Sequence, residues 1–204
     1  VDPAEAWRDI TNAWQLRTRQ LACLQLLADW RPAQRGSLLA EADAVRAAIF
    51  THCVKKDADG QPYFAWSVDL AGHHDVYDEP PGSLQLLPYY GFCERTDVIW
   101  QNTVRMIRSA DYKFSFAGKP IAEIGCPHAP WPWVLSLCNS LLCGHAEQAL
   151  RELTIMPMDN GIACESVDAD TGECTTGSAF ATCAGFLCHA LLTACKEGSS
   201  CGTI

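Results

Sequence analysis

Apolar residues recur at close to helical spacing through most of this chain, and that repeat constrains it toward packed helices. Leu16, Arg19, Gln20, Cys23, Leu24, Leu27 and Trp30 follow a period near 3.6, with apolar residues gathering on one face toward Trp30. The pair Arg31-Pro32 ends that helix, because proline disfavours the helical conformation of the residue before it. A second helix is predicted from about Leu38 to His52, with Leu38, Leu39, Ala42, Val45, Ala48 and Ile49 facing inward. Acids lie near its start and basic residues just past its end, as the helix dipole favours. "DADGQPYFAWSVD" reads as a turn followed by a short extended arm. Further helices are expected over about 84–93, 96–109, 132–143, 145–153 and 178–196. The expected fold class is all-α, organised as one helical domain over 1–204, a length sufficient for one sizeable core.

Between these helices lie long loops, 69–83, 110–131 and 154–177, rich in Gly, Pro, Asp and His. Long loops with polar cargo between amphipathic helices suggest a scaffold that presents a site. Three clusters stand out. "HHDVYDEPPGS" carries His73, His74, Asp75, Tyr77, Asp78 and Glu79; "EIGCPHAP" carries Glu123 and His128; "MDNGIACES" carries Asp159, Asn160 and Glu165. Carboxylates and amides that bind hydroxyl pairs, with aromatic planes for the C–H face of a ring, are the makeup of carbohydrate sites. Each cluster also has a plainer reading. Asp75, Asp78 and Glu79 suit a solvated turn, "MDNG" is a good turn by itself, and His128 fits a loop histidine bonded to a carbonyl. Glu165 is harder to dismiss, since an acid inside "GIACES" has little reason to face a core.

Composition narrows the partners. With 15 basic against 24 acidic residues the net charge is −9, and no Lys/Arg stripe is available to neutralise phosphates, so nucleic acid and anionic membrane are not expected partners. No apolar run approaches the roughly 20 residues that span a bilayer. The opening "VDPAEAWRD" has neither the basic nor the apolar region of an export signal. No Gly-rich phosphate cradle, G-x-S-x-G or H-E-x-x-H occurs. Of the twelve cysteines, Cys23, Cys138, Cys143, Cys183, Cys188 and Cys195 sit inside apolar helical runs, where thiols serve as small hydrophobes. Disulfides and a metal site are the alternatives, but there is no C-x₂-C pair, and the fragments "GCPH" and "LCGH" have no sequence partner. The expectation is a soluble, cytoplasmic protein with reduced thiols, no cofactor and no metal.

Four motifs in order carry a resemblance. "YDEPPGSLQLLPYYGF" places Asp78, Glu79, Ser83, Leu84, Leu87, Pro88, Tyr89 and Gly91 on the pattern D-D followed by P-S-L-x-x-L-P-Y-x-G. "QNTVRMIRS" matches Q-N-T-x-R-x-I-x-S through Gln101, Asn102, Thr103, Arg105, Ile107 and Ser109. "IGCPHAP" matches I-G-S-P-H-T-P, with Cys126 for Ser and Ala129 for Thr, and "CES" matches H-E-S. From Tyr77 to about Ser166 the chain resembles the C-terminal half of glycoside hydrolase family 125, the metal-independent exo-α-1,6-mannosidases.

The resemblance implies an (α/α)₆ toroid, here partial or shortened because about seven helices are predicted where six hairpins need twelve. It implies inverting hydrolysis of α-linked mannosides, with an oligosaccharide or glycoside as partner. It places the general base on Glu165 and substrate contacts on Tyr77, Asp78, Glu79, His128 and Ser166. The family's general acid lies upstream of the matched motifs, where Asp2, Glu5 and Asp9 are the available acids, and Asp9 is the candidate. The chain departs from the family's F-T-R-P-W-F-A-W segment, reading "TTGSAFATCAGF" at 175–186. A non-catalytic saccharide-binding half-toroid is the alternative, and a homo-oligomer or a missing N-terminal half would complete such a fold.

Overall fold

The structure is a computed structural model and describes residues 23–69 and 71–200. These divide into two compact units: the first holds the described residues through Tyr77 together with Leu87–Thr103, the second Asp78–Leu86 and the described residues from Val104 onward.

In the first unit, helix α1 is described over 23–30. Arg31 leaves the helical region at φ −125°, as its position before Pro32 requires, and a 3₁₀ turn, Pro32–Gln34, leads into α2, Arg35–His52. Two short strands come next, β1 Val54–Lys56 and β2 Pro62–Phe64, antiparallel with Lys55 opposite Tyr63. Their turn is fastened by Asp57, whose Oδ1 accepts the amides of Asp59 at 3.0 Å and Gln61 at 2.8 Å. A second hairpin pairs β3 Ser67–Val68 with β4 His74–Asp75. The core of the unit is aromatic: Phe50 and Phe92 stack at 5.7 Å, Phe64 meets both edge-on, and the Arg46 guanidinium lies 4.7 Å over the Phe92 ring.

Helix α3, Val98–Ile107, starts at Asp97, whose Oδ1 accepts the amides of Ile99 at 2.8 Å and Trp100 at 3.1 Å. Within the first unit, Thr103 Oγ1 accepts the Phe64 amide at 2.8 Å and Asn102 Nδ2 donates to the Pro62 carbonyl at 3.0 Å. These two residues of "QNTVRMIRS" therefore fasten the helix to strand β2.

The helix expected over 84–93 does not form. A single 3₁₀ turn, Leu84–Leu86, is followed by turns that close through Phe92 N to Leu87 O at 2.9 Å and Gly91 N to Pro88 O at 2.9 Å. Pro88 has no amide for a helical ladder, and Gly91 takes φ +71°, which turns the backbone left-handed. The chain is helix-rich, as expected, and the extended arm expected after Asp57 is present as β2 and β3; among the described residues three two-stranded antiparallel sheets accompany the helices, two more than that arm foretold.

The second unit is built on α4, Val134–Leu142, every residue of which is buried. It packs against α5, Ala146–Thr154, and α6, Ala181–Ser200. Burial on all sides explains why α4 is apolar around most of its circumference. Its three polar members, Ser136, Asn139 and Ser140, are spent on internal hydrogen bonds. The third hairpin, β5 Ser166–Val167 with β6 Cys174–Thr176, carries a register shift at Ser166/Val167. Eleven described cysteines are thiols; Cys138, Cys143 and Cys183 are buried as expected, whereas Cys23, Cys188 and Cys195 are exposed. The apolar neighbours of those three in sequence did not carry them into the core.

Candidate active site

Glu165 stands directly before β5, and its whole backbone is engaged. Its amide donates to the carbonyls of Thr176 at 3.2 Å and Gly177 at 3.1 Å, and its carbonyl accepts the Val134 amide at 3.0 Å. The half-buried side chain is then aimed by one hydroxyl: Thr176 Oγ1 donates to Glu165 Oε2 at 2.8 Å. Thr176 Oγ1 also lies 2.5 Å from the hydroxyl of buried Ser166. A hydroxyl has one proton to give, so Ser166 donates to Thr176 and Thr176 to Glu165. Gly177, at φ +60°, leaves the space this arrangement uses, since a Cβ there would stand 2.5 Å from the Cβ of Glu165.

The loop bearing His128 is tied to the same hairpin. Val167 donates to Pro132 O at 2.9 Å and Trp133 donates to Ile124 O at 3.1 Å. Inside the loop the Ala129 carbonyl accepts three donors: Cys126 N at 3.2 Å, Trp131 N at 2.9 Å and Trp133 Nε1 at 3.0 Å. Gly125 is packed so closely that a Cβ would lie 2.7 Å from the Trp131 carbonyl. His128 stands edge-on to Trp133 at 5.1 Å and remains 59% exposed.

Asp78 and Glu79, adjacent in sequence, separate in environment. Asp78 is fully buried: Oδ2 accepts Ser83 Oγ at 2.6 Å, Oδ1 accepts the Leu84 amide at 2.7 Å, and its own amide donates to Tyr112 Oη at 2.9 Å. Burial pushes its carboxyl up to about 6, against the lowering effect of those hydrogen bonds. Its oxygens therefore address the turn rather than solvent, which changes what is expected of it as a hydroxyl-binding residue. Glu79 is part-exposed and reaches the loop, with Oε1 3.5 Å from His128 Nδ1. The Cys126 thiol lies 3.2 Å from the same Nδ1, and burial pushes that thiol up to about 11.

The structure thus brings together Glu79 with His128, and Glu165 with Ser166. Tyr77 is described within the first unit, edge-on to Trp66 at 5.2 Å. Asp9, with Asp2 and Glu5, lies outside the described residues. His73, His74 and Asp75 are exposed, and Asp69 organises their turn by accepting the amides of Ala71 at 2.9 Å and His73 at 2.7 Å. Asp159 and Asn160 likewise form a turn, with Asn160 at φ +50°.

Glu123, grouped with His128 by sequence, is instead a core residue. It is 0% exposed, accepts Ser136 Oγ at 2.5 Å and Ser140 Oγ at 2.7 Å, and pairs with Arg108 Nη1 at 3.2 Å. Arg108 also donates to Gln85 Oε1 at 3.2 Å and Ser140 Oγ at 2.8 Å. Sequence reasoning did not single out Arg108, although a basic residue at the end of an apolar helix was the available signal.

The family model of the metal-independent alpha-mannosidases (GH125) matches residues 13–192. The chain belongs to the GH125 family. A solved structure of a metal-independent alpha mannosidase from Streptococcus pneumoniae, a non-productive substrate complex with alpha-1,6-mannobiose, superposes on this GH125 chain with a TM-score of 0.76. It is 22% identical and covers 88% of this chain and 46% of that one, a likeness of fold. The meiotically up-regulated gene 157 protein of Schizosaccharomyces pombe is 29% identical over 139 residues, 64% of this chain and 27% of its own length. A stretch of 31 residues is 90% identical to ribonuclease D of Escherichia coli, covering 15% of this chain and 8% of that protein. The chain therefore spans less than half the length of each of these three proteins. Among the described residues, no helix is long and apolar enough to cross a membrane.

Proposed function

We propose that this GH125 chain is an inverting, exo-acting α-mannoside hydrolase, with α-1,6-linked mannosides as its substrate class. The observation that carries this reading is the Glu165 carboxylate, part-exposed and fixed by the Thr176 hydroxyl with Gly177 against its Cβ. An ionised carboxylate so held suits a general base that takes a proton from water on one face of the sugar. The protonated acid that gives its proton to the leaving oxygen is assigned to Asp9 by the family resemblance. Such pairs stand about 6.5–9.5 Å apart, leaving room for the water.

Glu79 and His128 supply the hydroxyl contacts in this scheme. Asp78 acts through the turn that presents Glu79, and Ser166 through Thr176. The helices of the second unit are read as hairpins of an (α/α)₆ toroid, and the described thiols suit a reducing, cytoplasmic setting.

The test is an NMR time course of the purified chain with α-1,6-linked mannobiose. β-Mannose appearing first supports the reading. α-Mannose appearing first would overturn inversion, and no release at high protein concentration would overturn catalysis by this chain.

A further inference from the structure

Three metal-binding atoms from two chain segments converge beside the His128 loop: a carboxylate oxygen of Glu79, Sγ of Cys126 and a ring nitrogen of His128, all within 4.8 Å of one another. His128 Nδ1 lies 3.2 Å from Cys126 Sγ and 3.5 Å from Glu79 Oε1. A tetrahedral zinc ion, with bonds of about 2.3 Å to sulfur and about 2.0–2.1 Å to nitrogen or oxygen, would set these edges at about 3.6 Å and about 3.3 Å. Both observed edges agree to a few tenths of an ångström. The remaining edge, from Cys126 to Glu79, is within 4.8 Å.

The loop is already closed on the Ala129 carbonyl and packed at Gly125, so an ion would order little backbone on binding. Part-exposed Glu79 and exposed His128 give it a path from solvent, while buried Cys126 forms the floor.

We propose that Glu79, Cys126 and His128 form a binding site for a borderline divalent cation, Zn²⁺ foremost, with the fourth coordination position open to solvent. The donor set selects the class: thiolate and imidazole suit zinc, whereas magnesium and calcium take oxygen ligands. As the sulfur–zinc bond forms, the thiol proton passes to bulk water. If the sugar contacts assigned to Glu79 and His128 are right, an ion here occupies both of them. The site itself does not depend on that assignment.

Equilibrium dialysis of the intact chain against buffered free zinc, with bound metal counted by atomic emission, tests the site without reference to turnover. Thiols elsewhere, such as exposed Cys188, contribute the same background to every variant. Cys126→Ser, His128→Ala and Glu79→Gln should each lose one zinc per chain or bind it at least about tenfold more weakly. The double variant Cys126→Ser/His128→Ala should lose no second ion. Circular dichroism verifies folding, and Glu79→Gln, nearly isosteric and on the other segment, guards against a loop that fails to form. Zinc binding of unchanged stoichiometry and affinity in folded Cys126→Ser and Glu79→Gln chains would overturn the proposal.

Discussion

The Thr176 hydroxyl donates to Glu165 Oε2 at 2.8 Å and is itself reached by Ser166 at 2.5 Å, so two small side chains of one hairpin orient the carboxylate assigned as base. Glu165→Gln keeps this shape and removes the basic oxygen. In mannobiose hydrolysis its turnover should fall by about 10²–10⁴-fold, the usual worth of a general base, while calorimetry still detects sugar binding. Thr176→Val should lower turnover by a smaller factor, about tenfold, through a carboxylate less well aimed. An active Glu165→Gln enzyme would remove Glu165 from the role.

Gly177 and Gly144 separate two costs of a side chain at positive φ. Both are left-handed, at +60° and +95°, but a Cβ at Gly144 meets nothing within 4 Å, while one at Gly177 meets Glu165 Cβ at 2.5 Å. Gly144→Ala should lose about 1 kcal/mol from backbone strain alone. Gly177→Ala should lose more, about 2–3 kcal/mol, and should also impair hydrolysis. Denaturant unfolding of the two variants gives the comparison, and equal losses would show that the hairpin yields at Gly177.

The Arg108–Glu123 pair is buried, with side chains 11% and 0% exposed. Removing one partner leaves an uncompensated charge in the core of the second unit. Arg108→Met or Glu123→Leu should each destabilise by about 3–5 kcal/mol, and the double variant by less than the sum. A thermodynamic cycle from urea unfolding measures the coupling; strict additivity would mean the charges are not paired in solution.

Asp78 predicts a particular pH dependence. Its folded-state carboxyl is raised from the ordinary 3.8 to about 6, so between these values the folded chain holds a proton that the unfolded chain has released. Stability from this group is complete below pH about 4 and is lost as pH rises toward about 6, by about 3 kcal/mol in all. Asp78→Asn removes that slope. The difference in unfolding free energy between wild type and Asp78→Asn should therefore change across pH 4–6 and level off above; a constant difference would show that Asp78 is ionised throughout.

Sequence by itself determined most of the helices, because a repeat near 3.6 over many residues is a local signal: α2 to α6 lie close to where the pattern placed them, whereas the apolar run over 84–93 was broken by Pro88 and Gly91 into turns. It determined the end of α1 at Arg31-Pro32 and the GH125 motifs, whose order along the chain is itself sequence information. Tertiary structure decided which charged groups are spent internally. Nothing local distinguishes Asp78 from Glu79, yet one is buried against Ser83 and Leu84 and the other reaches His128. Nor does "EIGCPH" reveal that Glu123 turns inward to Arg108, or that His128 is held by a loop closed on the Ala129 carbonyl. The fragment around Cys126 gains its third ligand, Glu79, only when distant segments meet. Periodicity is written between neighbours a turn apart, whereas the environment of a carboxylate or thiol is set by contacts that sequence spacing does not encode.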